Sequence, residues 1–426
     1  MTSPRTLPPT DQRPLVSAVD IDDAARRLAG VISETPLQYD ERLSTLTGAQ
    51  VWLKREDLQP VRSYKIRGAY NFIAQLDAAE REAGVIAASA GNHGQGVAMA
   101  CAALGIRGRI FVPSTTPRQK RARMRHFGGA FVELVVAGDT YDEAFSLATA
   151  EAESSGATKV PAFDHPRTIA GQGTVAREFV DQLEREPDAV YLPVGGGGLL
   201  AGSATWLAQH SPHTRVVGVE PVGAACLAAA LDAGRPTTLP SIDTFVDGAA
   251  VRRAGDVTFQ IARELGPQMM TVPEGAICTE MLELYQTEGI IAEPAGAMAT
   301  TALQRVRPRP DEVVVAVVSG GNNDVSRYAE IVERSLIHEG RKHYFLVNFP
   351  QEPGALRRFL DEVLGPEDDI THFEYVKKSN REVGPALVGV ELGDPATYDA
   401  LRARMDASPM RVEVVSPDSP FYRLLI

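Results

Sequence analysis

Lys65 stands in the run Ser63-Tyr64-Lys65-Ile66-Arg67-Gly68-Ala69, an amine beside an aromatic ring. Alone it reads as a surface lysine. Three further segments give it company, each where a strand or loop hands over to a helix. In Ser89-Ala90-Gly91-Asn92-His93-Gly94-Gln95-Gly96 the small residues let the backbone approach a ligand. The following helix start offers unpaired N–H groups to an anion such as a substrate carboxylate. In Gly195-Gly196-Gly197-Gly198-Leu199, successive N–H groups at a helix N-terminus form a cradle for a phosphate. No lysine follows, so this is not the GxxxxGK[ST] loop of a nucleoside triphosphate site. Glu220 lies close to the distance of the ribose-binding acid in a dinucleotide fingerprint, which leaves a nicotinamide cofactor open as an alternative. Ser319-Gly320-Gly321-Asn322-Asn323 ends an apolar strand, where open α/β sheets place their ligands.

Together these segments offer a nucleophilic amine, a carboxylate cradle, a phosphate cradle and a neutral hydrogen-bonding serine. Pyridoxal 5′-phosphate needs the first and third, and an amino-acid substrate needs the second.

The elements that must hold them alternate. Val85–Ala88 reads as a strand and the stretch from His93 to Leu104 as a helix. Strands follow at Arg109–Val112, Phe131–Val136, Val190–Val194 and Val216–Val219, with helices at Pro117–Phe127 and from Tyr141. Val175, Phe179 and Leu183 recur at the spacing of one buried helix face. Val313–Val318 is apolar at every position, the pattern of a strand covered on both sides in a parallel sheet. The order is α/β. Beyond His338 it changes to strand Tyr344–Phe349, helix Pro353–Leu364, strands Ile370–Val376 and Pro385–Leu392, helix Pro395–Met405 and strand Val412–Val415. That is the βαββαβ order of a ferredoxin-like domain. Glu339-Gly340-Arg341-Lys342 is the expected linker. Residues 1–20 are expected to be a mobile tail, 21–337 a catalytic domain with a smaller lobe inserted at about 60–155, and 338–426 a regulatory domain.

At 426 residues the chain exceeds one ordinary core. Its net charge of −12, without long acidic blocks, argues against nucleic acid or an anionic membrane as partner. Cys101, Cys226 and Cys278 are far apart and form no CxxC pair, so neither a disulfide scaffold nor a structural zinc site is expected. The N-terminus lacks the apolar run of a secretion signal, and no stretch is long enough to cross a bilayer. The expected location is the cytoplasm.

The chain resembles the fold-type II pyridoxal-phosphate enzymes (tryptophan synthase β-like), specifically the biosynthetic threonine ammonia-lyase, or threonine dehydratase, family. The strings SYKIRGA, SAGNHGQG, GGGGL, AEPAGA and SGGN carry the likeness in the right order. The resemblance implies a two-lobed core with mostly parallel sheets. It implies that Lys65 holds the cofactor as an imine, Tyr64 lies against the pyridine ring and Asn92 bonds the 3′-hydroxyl. Gly195, Gly196, Gly197, Gly198 and Leu199 would wrap the phosphate, and Ser319 would face the ring nitrogen. Ser89, Gly91, Asn92 and His93 would hold the substrate carboxylate. The implied reaction is dehydration and deamination of L-threonine to 2-oxobutanoate and ammonia.

Departures from the wider fold are informative. Lys65 is followed by Ile66-Arg67-Gly68, as in dehydratases and serine racemases, not by the Asp-Arg of β-replacement enzymes. Racemases place a serine before Gly-Asn-His; here Ala90 stands there, so racemisation is expected to be poor. Metal-binding relatives use a glutamate, a carbonyl and an aspartate. Glu220 and Ala224 align, but Cys226 replaces the aspartate, so no metal is expected. The tail resembles an ACT-like domain, notably in Phe349-Pro350-Gln351-Glu352-Pro353-Gly354. Isoleucine as inhibitor and valine as its opponent are the effectors that likeness implies, with a homo-oligomer, tetramer or dimer. Two other readings stand beside this one. A catalytically dead sensing protein would have no need of Lys65. A serine-preferring dehydratase differs by a methyl contact worth only ~1–3 kcal/mol, and the ACT-like tail favours threonine.

Overall fold

The computed structural model describes residues 14–375 and 382–416, with Ser419 and Tyr422. The rest of the expected N-terminal tail, residues 1–13, and Val376 of an expected strand lie outside them. Ala18, expected in the tail, opens a helix, Ala18–Leu28, whose start is set by a capping box between Ser17 and Asp20.

The chain first lays down β1 (Leu37–Tyr39) and β2 (Gln50–Arg55), then leaves that sheet. It builds β3 (Val85–Ala88), β4 (Gly108–Val112), β5 (Val132–Val136) and β6 (Thr158–Lys159), a parallel sheet in the order β5-β4-β3-β6. It then returns with β7 (Ala189–Pro193), β8 (Arg215–Pro221), β9 (Gln268–Val272) and β10 (Val313–Val318). The larger sheet has the order β1-β2-β10-β7-β8-β9 and is parallel except between β1 and β2. All six residues of β10 are buried, with parallel neighbours on both edges. This is why its sequence shows no alternation.

Each sheet has its own core. One gathers Ile169, Phe179, Val190, Leu192, Leu200, Val315 and Val317 around the larger sheet. The other gathers Ile66, Ile73, Val85, Val97, Ile110 and Met124 around the smaller. The helix Lys65–Ile73 belongs to the smaller core yet packs against the helix Pro166–Leu183 of the larger. A Cβ on Gly171 would come 2.5 Å from the Arg67 carbonyl oxygen, so the two backbones touch.

The chain divides into two compact units: the first runs to Glu274 and resumes over Leu284–Asn323, and the second takes Gly275–Glu283 and everything from Asp324. The helix Tyr328–His338 therefore goes with the second unit, earlier than the boundary read from the sequence. Glu333 explains it: its carboxylate pairs with Lys342 and accepts from the Tyr344 hydroxyl at 2.6 Å. Lys342, placed in the linker by the sequence, instead begins a strand. That strand, β11 (Lys342–Pro350), is followed by β12 (Asp369–Tyr375), β13 (Val383–Glu391) and β14 (Arg411–Val414), antiparallel in the order β12-β13-β11-β14. Helices Ala355–Glu362 and Tyr398–Ala407 complete βαββαβ. Phe345, Val347 and Phe349 alternate into a core with Phe359, Val388, Val390, Leu401 and Met405. Gly354, at φ 88, turns the chain into the first of these helices.

Candidate active site

Three backbone ties place Lys65. Ser63 pairs with Gly320 in an isolated bridge, the Tyr64 N–H donates to the Ser319 carbonyl at 3.1 Å, and the Gly321 N–H donates to the Arg62 carbonyl at 2.9 Å. The lysine thus begins its helix beside the end of β10. Its Nζ donates to the Ala162 carbonyl at 3.2 Å and lies 5.2 Å from the centre of the Tyr64 ring. Two residues on, the Arg67 guanidinium is fully buried and anchors the helix. It grips Glu56 at 2.6 and 2.8 Å and Glu178 at 2.9 Å. Lys54 Nζ meets Glu178 at 2.6 Å. Burial pushes Glu178 up, but Arg67 and Lys54 together hold it below the usual carboxylate range. Two cations and two carboxylates compensate one another out of water.

The glycine loop follows β7. Gly197 sits at φ 93, and the helix Gly198–His210 begins directly after it. Among the described residues no acceptor takes the N–H groups of Gly195, Gly196, Gly197, Gly198 or Leu199. The Phe163 ring covers the loop from one side: a Cβ on Gly196 would stand 2.4 Å from it. Thr258 donates its hydroxyl to the Gly196 carbonyl at 2.7 Å, and Asp164 accepts the N–H groups of Asp256 and Val257, each at 2.9 Å, at the start of Thr258's helix. Ala162-Phe163-Asp164 therefore joins the Lys65 amine to the loop.

The helix Asn92–Leu104 packs on the backbone at Lys65: a Cβ on Gly96 would stand 3.2 Å from the Lys65 carbonyl oxygen. Ser89 Oγ accepts from the Gly94 N–H at 3.0 Å and the Gly91 N–H at 3.3 Å. The N–H groups of Asn92 and His93 have no acceptor among the described residues, and a Cβ on Gly91 would meet open space. The His93 ring is committed elsewhere, with Nε2 at 2.9 Å from the Val160 carbonyl. Burial, then the nearby Lys65 charge, lowers its pKa to about 4. The ring stays neutral, and what His93 can offer an anion is its backbone N–H. Ser319, 3% exposed, donates its hydroxyl to the Ala295 carbonyl at 3.3 Å.

Glu220, the candidate ribose-binding acid, caps the helix Cys226–Ala233 instead, accepting from the N–H groups of Leu227 at 2.8 Å and Ala228 at 2.9 Å. Burial pushes it up to about 7 against those bonds. Among the described residues no group of three or more His, Cys, Asp or Glu could hold a metal ion.

The predicted segments thus meet at one place. The sequence reading missed Phe163 and its neighbours, and it gave Glu293 and Asn322 no task. Asn92 Nδ2 donates to Glu293 at 2.5 Å, and Asn322 Nδ2 donates to Asn92 Oδ1 at 2.7 Å. Lys120, on the smaller lobe, pairs with Asp247 of the larger beside this group. Ser63 Oγ and Asn322 Oδ1 are buried and have no hydrogen-bond partner among the described residues.

Residues 28–320 match the family described as pyridoxal-phosphate dependent enzyme, and residues 333–425 match the C-terminal regulatory domain of threonine dehydratase. A protein of Mycobacterium tuberculosis named L-threonine dehydratase biosynthetic IlvA is 59% identical over 413 residues, 96% of each chain. One of the same name from Corynebacterium glutamicum is 55% identical, covering 96% of this chain and 95% of its own. This chain belongs to the threonine dehydratase family. The solved processed form of threonine deaminase isoform 2 from Solanum lycopersicum is similar in fold, with a TM-score of 0.70 at 38% identity, covering 79% of this chain and 98% of its own.

Threonine dehydratases of this kind are pyridoxal-phosphate enzymes, and the residues present fit that cofactor. Five uncommitted N–H groups at a helix N-terminus suit a phosphate, and a lysine amine stands across Ala162–Phe163 from them. The sheet of the second unit is the regulatory part of the family architecture. No helix among the described residues is long and apolar enough to cross a membrane.

Proposed function

We propose that this chain removes water and then ammonia from L-threonine, giving 2-oxobutanoate and ammonium, with serine as a secondary substrate. The observation that carries the reading is the link from the Lys65 amine through Ala162–Phe163 to the open N–H groups of the glycine loop. The full-length similarity to L-threonine dehydratases supplies the substrate.

Bound pyridoxal phosphate supplies an aldehyde that takes up amines and a ring that accepts an electron pair from Cα. Lys65 Nζ holds the aldehyde end at rest and, once released, takes the proton from Cα. The N–H groups of Gly195–Leu199 would hold the phosphate, Asn92 would bond the ring oxygen and Tyr64 would lie against the ring. Ser319 would face the ring nitrogen. A neutral hydroxyl there cannot keep that nitrogen protonated as a carboxylate would, which favours prompt loss of the β-hydroxyl over transamination. Ser89, Gly91, Asn92 and His93 receive the substrate carboxylate at the helix start, with the His93 backbone N–H rather than its ring. Ala90 offers no acid or base on the opposite face, so racemisation should be poor. The released enamine hydrolyses in water to the 2-oxoacid.

Catalysis belongs to the first unit and regulation to the second, with isoleucine as inhibitor and valine as its opponent. The protein acts in the cytoplasm as a homo-oligomer, tetramer or dimer. The test is 2-oxoacid formation from threonine and from serine with isoleucine and valine titrated. Threonine is expected to have the higher kcat/KM. Failure of the cofactor-loaded protein to form 2-oxobutanoate overturns the reading.

A further inference from the structure

The string Ala292-Glu293-Pro294-Ala295-Gly296-Ala297 carries part of the family likeness, yet the chemistry above gives none of its side chains a task. Glu293 is its single ionisable residue and is 4% exposed. It precedes the helix Pro294–Leu303, and its N–H donates to the Gly320 carbonyl at 3.1 Å. Gly320 makes room for the carboxylate: a Cβ there would stand 2.3 Å from Glu293 Oε1.

That Oε1 accepts from Asn92 Nδ2, while Asn322 Nδ2 donates to Asn92 Oδ1 and to the Val61 carbonyl at 2.8 Å. An amide has two N–H donors on one atom and two lone pairs on the other. With the ionised Glu293 accepting on one side and Asn322 donating on the other, only one orientation of Asn92 is satisfied. The flipped amide would set Oδ1 against a carboxylate and Nδ2 against another NH2 group, leaving both unpaired in a part-buried place. One Nδ2 hydrogen has no acceptor among the described residues. The charged groups that face Glu293 are Asp247, Lys120 and Lys65. Burial, then Asp247, pushes its carboxyl up to about 7 against the Asn92 bond, Lys120 and Lys65.

We propose that Glu293 is a positioning residue: it locks Asn92 in the one amide orientation that keeps an N–H available for the ring oxygen of the cofactor. The inference rests on the reading that Asn92 faces that oxygen. It assigns to Glu293 no contact with substrate.

The test is a double-mutant cycle on the cofactor-loaded enzyme, read by the cofactor dissociation constant and the position of its visible absorbance band. Glu293→Leu is expected to weaken cofactor binding by roughly 10- to 100-fold, as loss of an outer-shell partner does, and to shift the band as Asn92→Ala does. Adding Glu293→Leu to Asn92→Ala should change neither readout further, because the residue acts through the amide. Glu293→Gln keeps an oxygen for Asn92 and should restore the wild-type band. Where the leucine variant does not fold, Glu293→Ala carries the same cycle. Wild-type binding and band in the Glu293 variant, or additive effects in the double variant, overturn the proposal while an altered Asn92→Ala leaves the parent reading standing. Wild-type behaviour of Asn92→Ala overturns both.

Discussion

Lys65 Nζ donates to the carbonyl of Ala162 at 3.2 Å, and the side chain that follows Ala162 lies against the glycine loop. One short segment thus sets the spacing between the amine and the glycine loop. Gly196→Ala tests it, because the added carbon would stand 2.4 Å from the Phe163 ring. Overpacking of this kind costs about 1–3 kcal/mol of stability unless the ring or the loop shifts, and a shift of either should weaken cofactor binding. Combining it with Phe163→Leu should recover part of the loss. Unchanged affinity in Gly196→Ala, measured by cofactor titration, would count against the ring as the spacer.

The helix that begins at Lys65 is fixed at Arg67. Arg67→Met leaves Glu56 and Glu178 buried without their shared cation. Breaking a buried pair from one side costs roughly 3–5 kcal/mol, and the urea midpoint of the first unit should drop accordingly. A loss below about 1 kcal/mol would mean that water or Lys54 compensates.

His93 makes acid stability legible. Its folded pKa, about 4, lies below the unfolded value near 6.5. Above about 6.5 both states are neutral at this ring and it adds no pH dependence. As pH falls from about 6.5 towards 4, only the unfolded chain takes the proton, so stability is lost, on the order of 3 kcal/mol in all. His93→Gln, whose amide can still reach the Val160 carbonyl, should flatten that part of the thermal stability profile. An identical slope in wild type and variant would assign the acid sensitivity to other groups.

Regulation follows linkage. Isoleucine is expected to raise the apparent KM for threonine, with valine opposing it. At equilibrium, threonine must then weaken isoleucine binding by the same factor by which isoleucine weakens threonine binding. Calorimetric titration of isoleucine with and without a non-reacting threonine analogue measures it. Isoleucine binding that ignores the analogue would uncouple the second unit from the site.

Much of the architecture was readable from residue types. Six successive apolar residues of β10 announced a doubly covered strand, and each glycine-rich run proved to sit between a strand or loop and a helix. The ferredoxin-like order of the last strands also emerged, since Phe345, Val347 and Phe349 alternate. What escaped depends on side chains far apart in sequence. Glu293 and Asn92 are 201 positions apart, and no local pattern ties them. Phe163 matters because a glycine elsewhere leaves it room. The Tyr328–His338 helix groups with the second unit, which its amphipathic pattern does not announce; Glu333 ties it there through Lys342 and Tyr344. The helix at Ala18 did carry a local signal, the Ser17–Asp20 box, which the Pro-rich stretch before it obscured.

The most direct measurement is 2-oxobutanoate formation from threonine by Lys65→Ala supplied with pyridoxal phosphate. On the proposed mechanism the amine at residue 65 both holds the cofactor and moves the Cα proton. The variant should therefore be colourless as purified and turn over at background rate. Turnover near the wild-type rate would contradict the assignment of Lys65.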